Sequence, residues 1–111
     1  MIRDIDVVTK AYVACAIWAD AEEGAVGEPS PAMMAQAKED CIYFIGILDG
    51  EEIDSSAWSD GQFGHDFWLT RNRHGAGFWD RGRKNGEELT KWAHTMGSRD
   101  VYLGDDGLFY F

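Results

Sequence analysis

The residues best suited to chemistry fall in one short stretch, residues 65–82, which holds two of the three histidines and two of the five tryptophans. His74 lies there among arginines and glycines, and an imidazole that titrates near neutrality can act as a general acid or base. The His65-Asp66 doublet that opens the stretch is a pattern used by metal-dependent phosphohydrolases. An enzymatic site would draw on these side chains: His65, Asp66, Arg71, His74 and Asp80.

The same side chains also suit a structural role, and the sequence favours that role. A metal shell would need a further His and Asp, and neighbouring side chains of a strand point to opposite faces. His74 has no Ser or Cys nucleophile beside it in sequence and can instead hydrogen-bond backbone in a glycine turn. Cys15 and Cys41 lie in apolar periodic segments without CxxC spacing, which predicts buried free thiols. We therefore predict no metal, no cofactor and no assembled catalytic set.

The charge of the chain is strongly acidic and unevenly distributed. The net charge is −10; residues 1–66 carry fourteen acids and three bases, whereas residues 67–111 carry six acids and seven bases. An acidic face repels nucleic acid and membrane surfaces and attracts basic protein surfaces, although it can also serve solubility alone. The uncharged run at residues 41–48 is too short to cross a bilayer. We therefore expect a protein partner with a basic surface, and neither a nucleic-acid nor a membrane partner.

One basic patch, interleaved with aromatic rings, runs against this acidic background. Such a patch can bind single-stranded nucleic acid by stacking and phosphate contacts. The acids of the first part of the chain set an opposing field, so we expect these bases to pair within the domain. The patch comprises Arg71, Arg73, Arg81, Arg83 and Lys84, with Trp68, Phe78 and Trp79 among them.

Apolar residues at three- and four-residue steps predict three helices. The first covers about residues 4–20. The second begins at Ser30-Pro31, a good N-cap followed by a proline suited to the first helical position, and ends at Asp49-Gly50. The third runs from about Gly86 to Met96 with Asn85 as its cap. Residues 49–64 are predicted to be an acidic loop with one short helical turn around 56–64.

Alternating patterns predict two hairpins. Strands at 66–72 and 76–81 would flank a turn at 71–77, and strands at 100–103 and 108–111 would flank a turn at Gly104–Gly107. The order α-α-β-β-α-β-β predicts a single α+β domain, residues 1–111, in which helices pack on one side of an antiparallel sheet of two hairpins.

The string HDFWLTRNRHGAGFWDRG at residues 65–82, followed by DVYLGDDGLFYF at 100–111, resembles a family of small uncharacterised bacteriophage and prophage proteins. The family pattern is HDFWLTRNxHGAGFWDRG and DVYxGDDGxxY. Residues Ala11–Trp18 also look like the aromatic-Cys-Ala-Leu-Trp segment of that family. Arg73 stands where the family has glycine, and the middle loop of this chain is shorter than that of typical members. The resemblance implies a phage or prophage origin and action in the cytoplasm of a host cell, and it supplies no catalytic residues.

Together these features predict a phage-encoded, non-enzymatic accessory protein. It would be an acidic inhibitor that binds a host defence complex, of the CRISPR or restriction class, as a nucleic-acid mimic. The alternatives are a small enzyme that uses the His/Asp/Arg set, and a structural or regulatory homodimer held by exposed rings. The predicted partner-binding residues are Glu51, Glu52, Asp54, Asp60, Arg71, Arg73 and His74.

Overall fold

The computed structural model describes residues 2–111, which form helices packed around one aromatic core and a small mixed sheet. This arrangement is of the α+β class, as predicted. In chain order the elements are α1 (Ile5–Asp20), β1 (Glu28–Pro29), α2 (Pro31–Gly50), α3 (Asp60–Arg71), a 3₁₀ helix (Phe78–Asp80), α4 (Gly86–Thr95), β2 (Tyr102–Leu103) and β3 (Leu108–Tyr110).

The predicted first and second helices are confirmed, and their N-caps explain where they begin. The Asp4 carboxylate accepts hydrogen bonds from the first-turn amides of α1, and the Ser30 hydroxyl accepts one from the Met33 amide at the start of α2. The third predicted helix is also confirmed as α4. Asn85 precedes it in a left-handed conformation, but its side chain donates to the Asp54 carbonyl rather than capping the helix.

The predicted strand at 66–72 is wrong, because these residues belong to helix α3. The helix starts in a capping box, in which the Ser59 hydroxyl accepts from the Gln62 amide and the Gln62 side chain accepts from the Ser59 amide. Asp66 through Arg71 are all buried, so the helix has no wide polar face to reveal its period. The predicted second strand at 76–81 is wrong as well, since it contains the 3₁₀ helix.

The sheet therefore differs from the predicted pair of antiparallel hairpins. The C-terminal hairpin is confirmed, with β2 antiparallel to β3 and Leu103 opposite Phe109. The third strand is β1, which pairs parallel with β3 and places it in the centre of the sheet. The Ser30 amide donates to the Phe109 carbonyl at 2.9 Å, which joins the sheet to the start of α2.

Aromatic rings fill the core between the helices. Phe44 of α2 stacks on Phe67 of α3 with ring centroids 4.1 Å apart. Helices α1 and α3 approach so closely at Gly64 that a Cβ there would overlap the Val8 carbonyl oxygen. Only glycine permits this approach, which fixes the position of α3 against α1. None of the helices within residues 2–111 combines the length and apolarity needed to span a bilayer.

Candidate functional site

A cleft of about 370 Å³ lies along the N-terminal half of α3, and we name it the α3 cleft. One wall is formed by the first two turns of α3, and the other by the segment that follows the 3₁₀ helix. The residues that line it are Gly61, Gln62, His65, Asp66, Arg81 and Arg83. Two residues of the predicted catalytic set, His65 and Asp66, are therefore found there.

Asp66 is buried beneath this cleft with its carboxylate fully engaged. Its Oδ2 accepts from Trp58 Nε1 at 2.9 Å and from Arg81 Nε at 3.1 Å, and its Oδ1 accepts from Arg81 Nη2 at 2.7 Å. The hydrogen bond to Asp66 raises the pKa of the Arg81 guanidinium. Asp66 consequently orients Arg81 and Trp58, and it is not an open base or a metal ligand in this arrangement.

His74 contacts a different part of the molecule. Its Nε2 lies 2.9 Å from Asp20 Oδ2, at the C-terminal end of α1, and Trp68 Nε1 donates to the same carboxylate oxygen. Asp80 Oδ1 accepts from the Gly77 amide at 3.1 Å and so closes its own turn. Within residues 2–111, the side chains proposed for catalysis are thus divided among separate contacts instead of meeting at one point.

Arg71 completes that set, but it belongs to the core. Its side chain is 3% exposed, and Nη1 donates to Asp40 Oδ2 at 3.0 Å and to the Tyr12 hydroxyl at 2.9 Å. Its remaining nitrogens donate to the carbonyls of Met96 and Gly97. Arg71 is among the predicted partner contacts, but its side chain is buried in this conformation.

Three of the predicted acidic contacts lie on an exposed surface at the end of α2. We define the acidic surface as Asp49, Glu51, Glu52 and Asp54, four carboxylates within six positions, all on exposed residues. Hydrogen bonds from Ser56 lower the pKa of Asp54, and Lys84 Nζ lies 3.8 Å from Asp54 Oδ2. Asp54 therefore remains a carboxylate at neutral pH.

Of the other predicted contacts, Asp60 is engaged within the chain, whereas Arg73 is exposed. Asp60 pairs with Arg3 Nη1 at 2.9 Å, and the same guanidinium donates to the Ser55 and Trp58 carbonyls. Asp60 thus anchors the start of the chain to the loop before α3. Arg73 is exposed just after α3, with a positive φ of 56°.

Sequence reasoning did not locate two features: the contacts of Arg83 and an apolar groove. Arg83 donates to Gln62 Oε1 at 2.9 Å and lies over the Trp58 ring at 5.4 Å, so it joins the segment after the 3₁₀ helix to α3 and to the loop before α3. The signal that was available is the Ser59-x-x-Gln62 capping box, which marks the start of α3. A separate apolar groove lies against Trp18, whose side chain is 74% exposed, but no polar group of the predicted set lines it.

The described part of the chain contains no group of three or more His, Cys, Asp or Glu side chains placed to hold a metal ion. No family model, no curated protein and no solved structure matches this chain.

Proposed function

We propose that this chain is a phage-encoded, non-enzymatic accessory protein that binds a host defence complex of the CRISPR or restriction class through its acidic surface. The carboxylates of that surface take the place of nucleic-acid phosphates in a basic groove. The phage origin is supported by the motif resemblance at residues 65–82 and 100–111, and the binding mode by the charge distribution.

The observation that carries the proposal is the position of the acids relative to α2. Helix α2 ends at Gly50 with no basic residue in its last turn, and Glu51 and Glu52 follow immediately. The C-terminal end of a helix carries a partial negative charge, so carboxylates there are unfavourable for the folded chain itself. Their concentration at this end suits a positively charged partner that offsets the repulsion.

Electrostatic recognition of this kind has defined consequences. Complementary charge accelerates association and is screened by salt over about 10 Å at 0.1 M ionic strength. Because Glu51 and Glu52 make no ion pair among residues 2–111, they are available to a partner without breaking an internal contact. Inhibition of the target should therefore weaken steadily as salt concentration rises.

The test uses a panel of purified CRISPR effector complexes and restriction enzymes, with DNA binding and cleavage measured at increasing concentrations of the chain. The variant Glu51→Lys/Glu52→Lys should raise the inhibitory concentration about tenfold, equivalent to about 1.4 kcal/mol. The matched control is Glu22→Lys/Glu23→Lys, which makes the same change in net charge on two exposed residues that follow the C-terminal end of α1, outside the acidic surface. The control should change inhibition less than about twofold.

Two outcomes would contradict the proposal. One is that no member of the panel is inhibited by the native chain. The other is that inhibition persists unchanged in the Glu51→Lys/Glu52→Lys variant. Since reversal removes repulsion at the end of α2, this variant should unfold at the same urea concentration as the native chain or a higher one, which separates lost binding from lost structure.

A further inference from the structure

We propose that the α3 cleft binds a small phosphate-type oxyanion, in the form of a phosphomonoester group. This site is distinct from the acidic surface and does not depend on the proposed function. Two preorganised guanidinium groups line one cavity, which also borders the positive end of a helix.

The first guanidinium belongs to Arg81. The buried Asp66 carboxylate holds it by Nε and Nη2, at 3.1 and 2.7 Å. Nη1 makes no hydrogen bond to another described residue, and the side chain is 35% exposed at the cleft. A guanidinium fixed on one edge presents its other edge to a ligand with little further loss of side-chain entropy.

The second guanidinium belongs to Arg83. It is positioned by Gln62 Oε1 at 2.9 Å and by the Trp58 ring, and no carboxylate within residues 2–111 forms an ion pair with it. Arg83 also borders a neighbouring pocket that Glu87 and Glu88 line, and Asp80 Oδ1 lies 3.8 Å from Arg81 Nε. Among the residues that line the cleft itself, the two arginines face the single carboxylate of Asp66, so the lining is net positive in a chain whose net charge is −10.

Helix α3 contributes the third component. It is 12 residues long, and its first turn lines the cleft through Gly61 and Gln62. The Ser59 hydroxyl caps the Gln62 amide, and there is nothing within 4 Å of the place where a Gly61 Cβ would lie. The side of the first turn at Gly61 is therefore open to a ligand, and the helix dipole favours an anion there, while the Gln62 and Phe63 amides donate to Ser59.

The chemistry of these groups selects a tetrahedral dianion. Two guanidinium forks can each donate two parallel hydrogen bonds to phosphate oxygens, and the doubly charged group matches two arginines better than a monocarboxylate does. His65 adds an imidazole to the lining, tilted by 30° against Trp18 with ring centroids 5.9 Å apart, so that an aromatic or sugar substituent on the phosphate would meet rings at the edge of the cleft.

To test the proposal, the native chain is titrated with O-phosphoserine, inorganic phosphate or acetate. Binding is measured by calorimetry and by changes in amide chemical shifts. Saturable binding of O-phosphoserine with shifts at Gly61 and Gln62 is the expected result. Tighter binding of O-phosphoserine than of inorganic phosphate supports a phosphomonoester ligand. The reverse order would replace it with a free-phosphate site, and equal binding of acetate would overturn the selectivity for phosphate.

Variants locate the binding. Arg83→Gln should weaken O-phosphoserine binding about tenfold, and Arg83→Lys, which keeps the charge but loses the fork, should recover part of it. The matched control is Arg73→Gln, an exposed arginine outside the cleft that makes the same change in charge. Equal losses in Arg83→Gln and Arg73→Gln would overturn the proposal, as would the absence of saturable binding by the native chain. Neither result bears on inhibition through the acidic surface.

Discussion

Arg73 occupies a backbone conformation that favours glycine. The amides of Arg73 and His74 donate to the carbonyls of Thr70 and Leu69, so the end of α3 is a Schellman motif with Arg73 at its left-handed position, φ 56°. Glycine adopts this conformation without a steric penalty, whereas an arginine is strained in it.

We predict that Arg73→Gly raises the free energy of unfolding by about 0.5–1 kcal/mol. Glycine removes the strain of the left-handed conformation, and this gain exceeds the cost of the extra conformational entropy that glycine gives the unfolded chain. Urea denaturation at constant m-value is the measurement. Arg73→Ala is the control, because it removes the side chain and keeps the strain. A gain of the same size in Arg73→Ala would show that the side chain, and not the backbone, is responsible.

Gly64 is constrained by space. Because a Cβ at Gly64 would overlap the Val8 carbonyl and crowd the Tyr12 amide, Gly64→Ala must push α3 away from α1. We predict a loss of about 2–3 kcal/mol in the free energy of unfolding. Gly46→Ala in α2 has nothing within 4 Å of its Cβ and should instead gain about 0.5–1 kcal/mol from helix propensity. If both variants gain stability, the close approach of the two helices is wrong.

At the scale of elements, Asp40 is the junction between the helices. From the middle of α2 it accepts hydrogen bonds from Arg71 of α3, from the Tyr12 hydroxyl of α1, and from Arg99 in the segment before β2. Burial raises the pKa of the Tyr12 hydroxyl, which therefore stays protonated and able to donate. One carboxylate thus holds three separate parts of the chain together.

We predict that Asp40→Ala lowers the free energy of unfolding by about 3–5 kcal/mol, because it leaves the buried Arg71 without a counter-charge. Glu39→Ala, the exposed neighbour on the same helix, should change it by less than about 0.5 kcal/mol. Thermal or urea unfolding of the two variants makes the comparison. A loss below about 1 kcal/mol in Asp40→Ala would show that Arg71 is compensated by its carbonyl contacts alone.

The elements that sequence reasoning located correctly are those set by local signals. Ser30-Pro31 starts α2, and Asp106-Gly107 lies in the turn between β2 and β3, at the predicted positions. Helix α3 was missed because it is buried on most of its circumference, so its apolar run resembles a strand. β1 was missed because a two-residue parallel pairing with β3 leaves no local pattern.

For the candidate site, the charge distribution could be predicted from the sequence, but the contacts between residues could not. The separation of acidic and basic halves follows directly from the sequence, and so does the exposure of an acidic loop after α2. The partners of individual groups do not follow, since Asp66 and Arg81 are fifteen positions apart and meet only because α3 is a helix. The wrong secondary structure at 66–72 therefore concealed the α3 cleft.

At the scale of the whole molecule, the two thiols report on global unfolding. Cys15 and Cys41 are free and buried, on α1 and α2, and burial is the main reason that the pKa of each is raised to about 12. Thiolate is the reactive form, so neither cysteine should react at pH 8 in the folded protein.

We predict that alkylation of both cysteines proceeds at one common rate, that of global opening, when followed by mass spectrometry at pH 8. In urea above the unfolding transition, both thiols should be alkylated at the rate of a cysteine in a free peptide. Rapid labelling of a single thiol under native conditions would instead reveal local opening of the helix that carries it.

The central position of β3 also matters for biosynthesis. Residues 108–110 pair with β1, about eighty positions earlier, and with β2, so the sheet cannot assemble on the ribosome before these residues have left the exit tunnel. The hydrogen bond from the Ser30 amide, just before α2, to the Phe109 carbonyl cannot form until then either. Closure of the sheet therefore requires that residue 110 has left the tunnel, and we expect proteases to cleave a nascent chain stalled before residue 108 within residues 21–30.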